Sequence, residues 1–268
     1  MTLISSNSPI LFHTDISRIQ RSTLNKIDRK QNITSAIYQM LLNTFPDQEL
    51  WFPAFNYDFI KTRIFDPEND PIQVGAFNES LRNSDNFMRS EIPVFSILRQ
   101  TSENKIYCKP EINPFDLEGE FSEIRRRDGN VCFFGASIES LTFIHFVENL
   151  VSIPYRYLKV FSGRVKSGND FRETSLSFLV RPAGLSVDYD WQKIHALLDE
   201  SRLSFKIDSF GSYEFYNVNT LTDFMLDKYS EDVFWTLNQD SRINVERKLD
   251  ELGRSFEIED FELDSLNA

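Results

Sequence analysis

The sequence predicts a layered α/β domain, on three observations. Segments with strand and helix periodicity alternate along most of the chain. Of the 268 residues, 41% are hydrophobic and 25 are phenylalanine, enough apolar surface for a large core, which excludes a disordered or fibrous chain. No internal repeat or linker-like stretch divides it, so residues 1–268 read as one domain. Residues 1–165 hold the recognisable segments and residues 166–268 form a smaller α+β portion.

The elements follow in order. Ile10 to Phe12 is a short strand feeding the polar turn His13-Thr14-Asp15. Ile33, Ala36, Ile37, Met40 and Leu41 recur at helical spacing, and Pro46 ends that helix. Glu49 to Phe55 is an aromatic-rich strand with Asn56-Tyr57-Asp58 at its end. Asp70 as N-cap, Pro71 at the first helical position and Gln73 three residues after the cap predict a helix start, with Val74, Phe77 and Leu81 as its stripe. Strands are expected at Pro93 to Leu98, Lys105 to Lys109 and Asn130 to Gly135, then a helix over Ser140 to Val151. Tyr157 to Val165 and Ser175 to Val180 read as strands. A helix follows through Trp191, Ile194 and Leu198, then two strands around Gly211 and a helix through Leu221, Phe224 and Met225.

Charge and composition exclude several function classes. The net charge is −12, a field that repels phosphate backbones, so no nucleic-acid partner is expected. From Glu246 onward eight acids face three bases, a solvated acidic tail or a lip that attracts amines. No apolar run approaches the roughly 18 residues of a membrane span. Met1 to Pro9 lacks the pattern of a secretory leader, so a cytoplasmic protein is expected. Cys108 and Cys132 are too few for a disulfide framework or a thiolate metal site, and no metal is expected.

Phosphate-binding glycine loops, His-Glu-x-x-His and a complete nucleophile elbow are all missing. The strongest local feature is the helix Leu141 to Leu150. It is apolar nearly all round and therefore buried, yet Thr142, His145, Glu148 and Asn149 share one face. Burying an imidazole and a carboxylate costs several kcal/mol unless they are paired or open on a site. A histidine oriented by a carboxylate is what a general base needs, although a polar pair that only satisfies itself has the same spacing. His195 reads as a surface residue, and His13 opens a turn whose backbone N–H groups are able to meet an anion.

Five segments, in order, resemble the antibiotic N-acetyltransferase family typified by the aminoglycoside 3-N-acetyltransferases. They are Ile10-Leu11-Phe12-His13-Thr14-Asp15, Leu50 to Phe55, Phe65-Asp66-Pro67 through Gly75 before the helix with Glu79, Arg89-Ser90 with Pro93 to Ser96, and Thr142-Phe143-Ile144-His145-Phe146-Val147-Glu148. The resemblance implies a layered mixed sheet with helices on both faces, unrelated to the commoner GNAT acetyltransferases. It also implies transfer from an acyl-CoA, either acetyl-CoA or a longer one, by direct attack of an amine on the thioester. In that reading His145 is the general base and Glu148 orients it. His13, Thr14, Arg89, Ser90 and Thr142 contact the coenzyme or the oxyanion, and Asn56, Tyr57, Asp58 and Glu79 line the acceptor pocket.

The chain departs from the family at its His-Pro position, near the resistance enzymes' substrate, where Glu91-Ile92-Pro93 stands. Phe55-Asn56-Tyr57-Asp58-Phe59 is similar to a branch associated with surface-polysaccharide (O-antigen, lipopolysaccharide) biosynthesis. The leading expectation is therefore N-acylation of a nucleotide-linked amino-deoxysugar, with Arg125-Arg126-Arg127 or Arg156 and Lys159 as a basic pocket. The alternative is an aminoglycoside 3-N-acetyltransferase whose acidic surface gathers a polycation. A third reading, a non-catalytic binding protein, is opposed by the intact His145 and Glu148. The portion beyond Val165 carries no assignable motif and is expected to close over the acceptor or to form the subunit contact of a homodimer.

Overall fold

A computed structural model describes residues 4–19, 32–100, 109–207 and 213–262. Its centre is set by three strands, β1 (Pro9–Thr14), β2 (Glu49–Pro53) and β7 (Asn130–Phe134), all nearly wholly buried. Near-continuous apolar runs of this kind belong to parallel strands covered on both faces. β1 pairs in parallel with β2 on one side and with β7 on the other. The full seven-stranded sheet has the order β10-β11-β7-β1-β2-β5-β4, with antiparallel pairs outside the central three. Its outer members are β4 (Met88–Arg89), β5 (Ile97–Arg99), β10 (Ser204–Ile207) and β11 (Tyr213–Asn217).

Alternation along these strands sends side chains to two cores. Ile10, Phe12, Phe52, Cys132 and Phe134 join Ile37 and Leu41 of helix α1 (Ile33–Thr44) and Phe77 and Leu81 of α3 (Ala76–Leu81). Leu11, Trp51, Val131 and Phe133 face the opposite core, with α4 (Glu120–Arg126), α5 (Ile144–Val151) and α7 (Val218–Glu231). Helices therefore cover both faces. The second core also takes in Tyr157, Phe161, Val165 and Leu176 from a four-stranded sheet, β3-β8-β9-β6. That sheet is dominated by the hairpin of β8 (Tyr157–Ser167) and β9 (Asp170–Val180), with the two-residue strands β3 (Ile64–Phe65) and β6 (Glu111–Ile112) at its edges. The remaining helices are α2 (Phe59–Thr62), α6 (Trp191–Glu200) and α8 (Gln239–Leu252).

Several local expectations are corrected. The cap signal at Asp70 does not start a helix. Asp70 accepts from Asp66 N–H and Gln73 from Tyr57 N–H, so both caps serve a loop, and α3 begins after Gly75 at φ 85°. Pro93 to Ser96 is turn rather than strand, with Val94 at φ 65°. The helix expected from Ser140 divides into a 3₁₀ turn, Ile138–Ser140, and α5 from Ile144. The acidic tail starts in helix α8 and Glu262 accepts from Tyr157 and Lys159 of β8, and none of its described residues lines the cleft described below. Cys108, most of the Lys105 to Lys109 strand and the Gly211 turn lie outside the described residues.

Two features tie this fold to measurable stability. Gly135, at φ 71°, ends β7 where an added Cβ would lie 2.3 Å from the carbonyl oxygen of Asp15. Gly135→Ala is expected to cost at least about 2 kcal/mol, seen as a lowered midpoint in thermal unfolding. His13 is 5% exposed and stacks on Phe133 with ring centroids 5.3 Å apart. Burial lowers its pKa to about 4. Between that value and its ordinary 6.5 the unfolded chain binds a proton that the folded chain refuses, so stability falls as pH is lowered through this window. The full loss is about 3 kcal/mol, and denaturant titrations at pH 7 and pH 4 should show a smaller difference for His13→Phe.

Candidate functional site

Parallel strands β2, β1 and β7 end on the same side, and the crossover helices α1 and α4 lie on opposite faces of the sheet. The carboxyl ends of such strands, where the chain departs to both sides, leave a crevice between their loops. A cleft of about 800 Å³ occupies that position. It is walled by His13, Thr14 and Asp15 at the end of β1, Pro53, Phe55 and Tyr57 at and beyond the end of β2, and Ala136, Ser137 and Glu139 after β7. Gly75 and Asn78 close one side, Thr142 and His145 stand at the start of α5, and Arg181, Tyr189 and Trp191 complete the wall. Its size suits a ligand with an extended arm.

His145 stands on the first turn of α5, its side chain 30% exposed. Its Nδ1 is 2.9 Å from Glu148 Oε2, one turn further along the helix. Glu148 is 1% exposed and has two more partners: the Tyr189 hydroxyl 2.6 Å from Oε1, and Arg156 Nε 3.3 Å from Oε2. Arg156 is buried as well, and its terminal nitrogen donates to the Tyr189 hydroxyl at 2.7 Å. Burial alone would raise the Glu148 pKa, but Arg156 and the bonds from His145 and Tyr189 outweigh it and hold the carboxyl below its ordinary value. Burial lowers the His145 pKa despite the opposing pull of Glu148, so the imidazole is neutral at pH 7. With Nδ1 taken by Glu148, Nε2 is the nitrogen left for a ligand.

The residues singled out from the sequence divide into two groups. His13, Thr14, Tyr57, Thr142 and His145 line the cleft, with Glu148 directly behind His145. His13 is neutral there and supplies no charge to a phosphate, and the Thr14 hydroxyl donates to Asn78 Oδ1 at 2.8 Å. Arg89, Ser90, Asn56, Asp58 and Glu79 are not among the lining residues. Arg89 donates to Ser96 Oγ and to the carbonyls of Ala54 and Asp70, fastening a loop to the end of β2. Ser90 is buried against Glu120 and caps Ile97 N–H. Asn56 is fully buried, donating to the Pro71 carbonyl and accepting from Asp58 N–H. Glu79 holds Ile72 N–H and Arg82. Arg89, Ser90, Asn56 and Glu79 each bond a backbone group of the loops around the strand ends, whereas the Asp58 side chain is exposed and caps none.

Other expectations shift for similar reasons. Arg125 to Arg127 form no pocket: Arg125 meets Asp223, Arg126 bonds the Leu117 carbonyl and Arg127 meets Glu49. Ile92, at the family's histidine position, is 5% exposed in the apolar core and outside the cleft. Arg181, Tyr189 and Trp191 come from a region where the sequence offers no motif. Tyr189 and Trp191 pack edge to face at 5.1 Å, and the Arg181 guanidinium lies 5.6 Å from the Tyr189 ring centroid. Only Trp191, on the stripe of the helix expected through Ile194 and Leu198, marks this segment in the sequence.

A sequence profile of the aminoglycoside 3-N-acetyltransferases matches residues 32–227. A search of curated protein sequences found no match. Among solved structures, the aminoglycoside acetyltransferase AAC(3)-Xa superposes with a TM-score of 0.67 at 15% identity, covering 88% of this chain and 90% of that one. The AAC-IIIb binary complex with CoASH gives 0.66 at 17% identity, covering 85% and 92%. A mutant of AAC(3)-IVa in complex with a gentamicin gives 0.65 at 13% identity, covering 88% and 86%. These likenesses show a shared fold. With the profile spanning most of the chain, the sequence and the architecture agree that this protein belongs to the aminoglycoside 3-N-acetyltransferase family.

Proposed function

We propose that the protein is a coenzyme A-dependent N-acetyltransferase that acylates an amine of an aminoglycoside-type amino sugar. The observation that carries the reading is His145 Nδ1 2.9 Å from the buried Glu148 carboxylate, with the imidazole in the wall of a large cleft, in a chain of this family. In the reaction the amine nitrogen forms a bond to the thioester carbonyl carbon and the carbon–sulfur bond breaks. His145 Nε2 takes the proton that the amine sheds, and the departing thiolate is protonated in turn. Glu148 stabilises the imidazolium between those two transfers. Ammonium has no lone pair, so the site works on the neutral amine or deprotonates it on binding.

The acceptor follows from charge and from where residues lie. The chain carries −12 overall, which favours a polycation, while the cleft wall is balanced, with Asp15 and Glu139 against Arg18 and Arg181. Structural relatives have been solved with a gentamicin, apramycin and sisomicin. Of the residues on which the nucleotide-sugar expectation rests, Phe55 and Tyr57 line the cleft, while Asn56, Asp58 and Ile92 lie outside its lining. A coenzyme A thioester as donor fits an enzyme of the cytoplasm.

The test is thiol release from acetyl-CoA and from one longer acyl-CoA, with aminoglycosides and nucleotide-linked amino-deoxysugars as acceptors. Turnover of aminoglycosides is expected, and turnover confined to a nucleotide sugar would replace the acceptor proposed here. His145→Ala should lower kcat about 10²- to 10⁴-fold. The His145 pKa is lowered, so its base form persists below the ordinary 6.5. The limb contributed by His145 should therefore fall below pH 6.5, separate from that of the acceptor amine, and an NMR titration of the free enzyme that placed the His145 pKa above 7 would contradict the assignment.

A further inference from the structure

The hydrogen bonds around Glu148 decide which nitrogen of His145 carries its proton. Arg156 has donors only, so the Tyr189 oxygen must accept at the 2.7 Å contact between them. The single Tyr189 hydrogen is then directed to Glu148 Oε1 at 2.6 Å, in preference to His145 Nδ1 at 3.4 Å. An ionised carboxylate only accepts, so the 2.9 Å contact between Glu148 Oε2 and His145 Nδ1 requires a proton on Nδ1. The lone pair is left on Nε2. Were the tyrosine free to turn its hydroxyl toward Nδ1, the imidazole would carry its proton on Nε2 and could take none from a ligand. We propose that Arg156 and Tyr189 are positioning residues that hold Glu148 as an anion and His145 in the Nδ1–H tautomer, so that the proton taken from the acceptor amine stays on the imidazole. The role in turnover rests on His145 being the base.

The groups facing His145 from its surroundings are Glu148 on α5, Arg156 ahead of β8, Arg181 just after β9, and Tyr189 ahead of α6. The two guanidinium groups oppose a second proton on the ring and Glu148 favours it. Removing Tyr189 while Arg156 still holds the carboxylate leaves more of the Glu148 charge to act on the ring and raises its proton affinity. Removing the Glu148 charge lowers it. The two kinds of variant therefore move the acid limb in opposite directions, which a general loosening of the fold does not do.

The experiment is long-range ¹H–¹⁵N NMR of the histidine rings in the full chain, which has three histidines, with His145→Gln for assignment, alongside pH profiles of kcat and KM. The wild type is expected to show a neutral His145 protonated on Nδ1. Arg156→Met, which frees the Tyr189 hydroxyl to turn toward Nδ1, should populate the other tautomer, whereas Tyr189→Phe should keep the Nδ1–H form, lower kcat about 10- to 100-fold, the usual cost of losing an orienting partner, and shift the acid limb upward. KM for the acyl donor should be unchanged. Glu148→Gln should shift the limb downward, and Arg156→Lys should retain more activity than Arg156→Met. Tyr189→Phe keeps the ring packed on Trp191 and carries the test if Arg156→Met fails to fold. A wild-type ring protonated on Nε2, or a Tyr189→Phe enzyme within twofold of wild type at an unshifted limb, would overturn the inference. Turnover surviving in His145→Ala would instead remove the base assignment, while the NMR reading of the tautomer stands as an independent test.

Discussion

One buried negative charge organises this molecule. Glu148 lies in a core made largely of aromatic side chains, where an uncompensated carboxylate costs several kcal/mol. Its partners come from three separate stretches: His145 from its own helix, Arg156 from the approach to β8 and Tyr189 from the segment before α6. Arg156 is itself buried, so each charge is tolerable only in the presence of the other. The ion pair therefore joins a helix on the large sheet to the hairpin of the small one. The same pairing that permits Glu148 to stay ionised inside the protein makes the adjacent imidazole a usable base.

How much of this was legible depended on whether the relevant residues are neighbours in the chain. The three central strands could be read because strands covered on both faces leave continuous apolar runs, as in Ile10 to Phe12 and Val131 to Phe134. His145 and Glu148 could be paired because helical geometry converts a spacing of three into contact. No such rule links Glu148 to Tyr189, whose approach depends on how two sheets pack. Asn56, Glu79, Arg89 and Ser90 misled for the opposite reason. A polar side chain that satisfies loop backbone and one that awaits a ligand look alike in a sequence, and only the cleft separates them. At Asp70 the local capping pattern was complete, yet contacts with Asp66 N–H and the needs of the β2 loop decided its use.

The order of strands in the central sheet also dictates how the site comes into being. β1 aligns Ile10 with Asn130 of β7, and β7 in turn aligns Asn130 with Asn217 of β11. Pairings so distant in sequence close large loops before any contact repays them, and folding slows accordingly. During synthesis His13 and Thr14 emerge first, the His145 helix well after, and Tyr189 later still. A nascent chain thus holds both halves of its cleft with no carboxylate clamp and a half-built sheet. The Tyr189 side of the wall is completed last, from the portion of the chain that carries the least recognisable sequence.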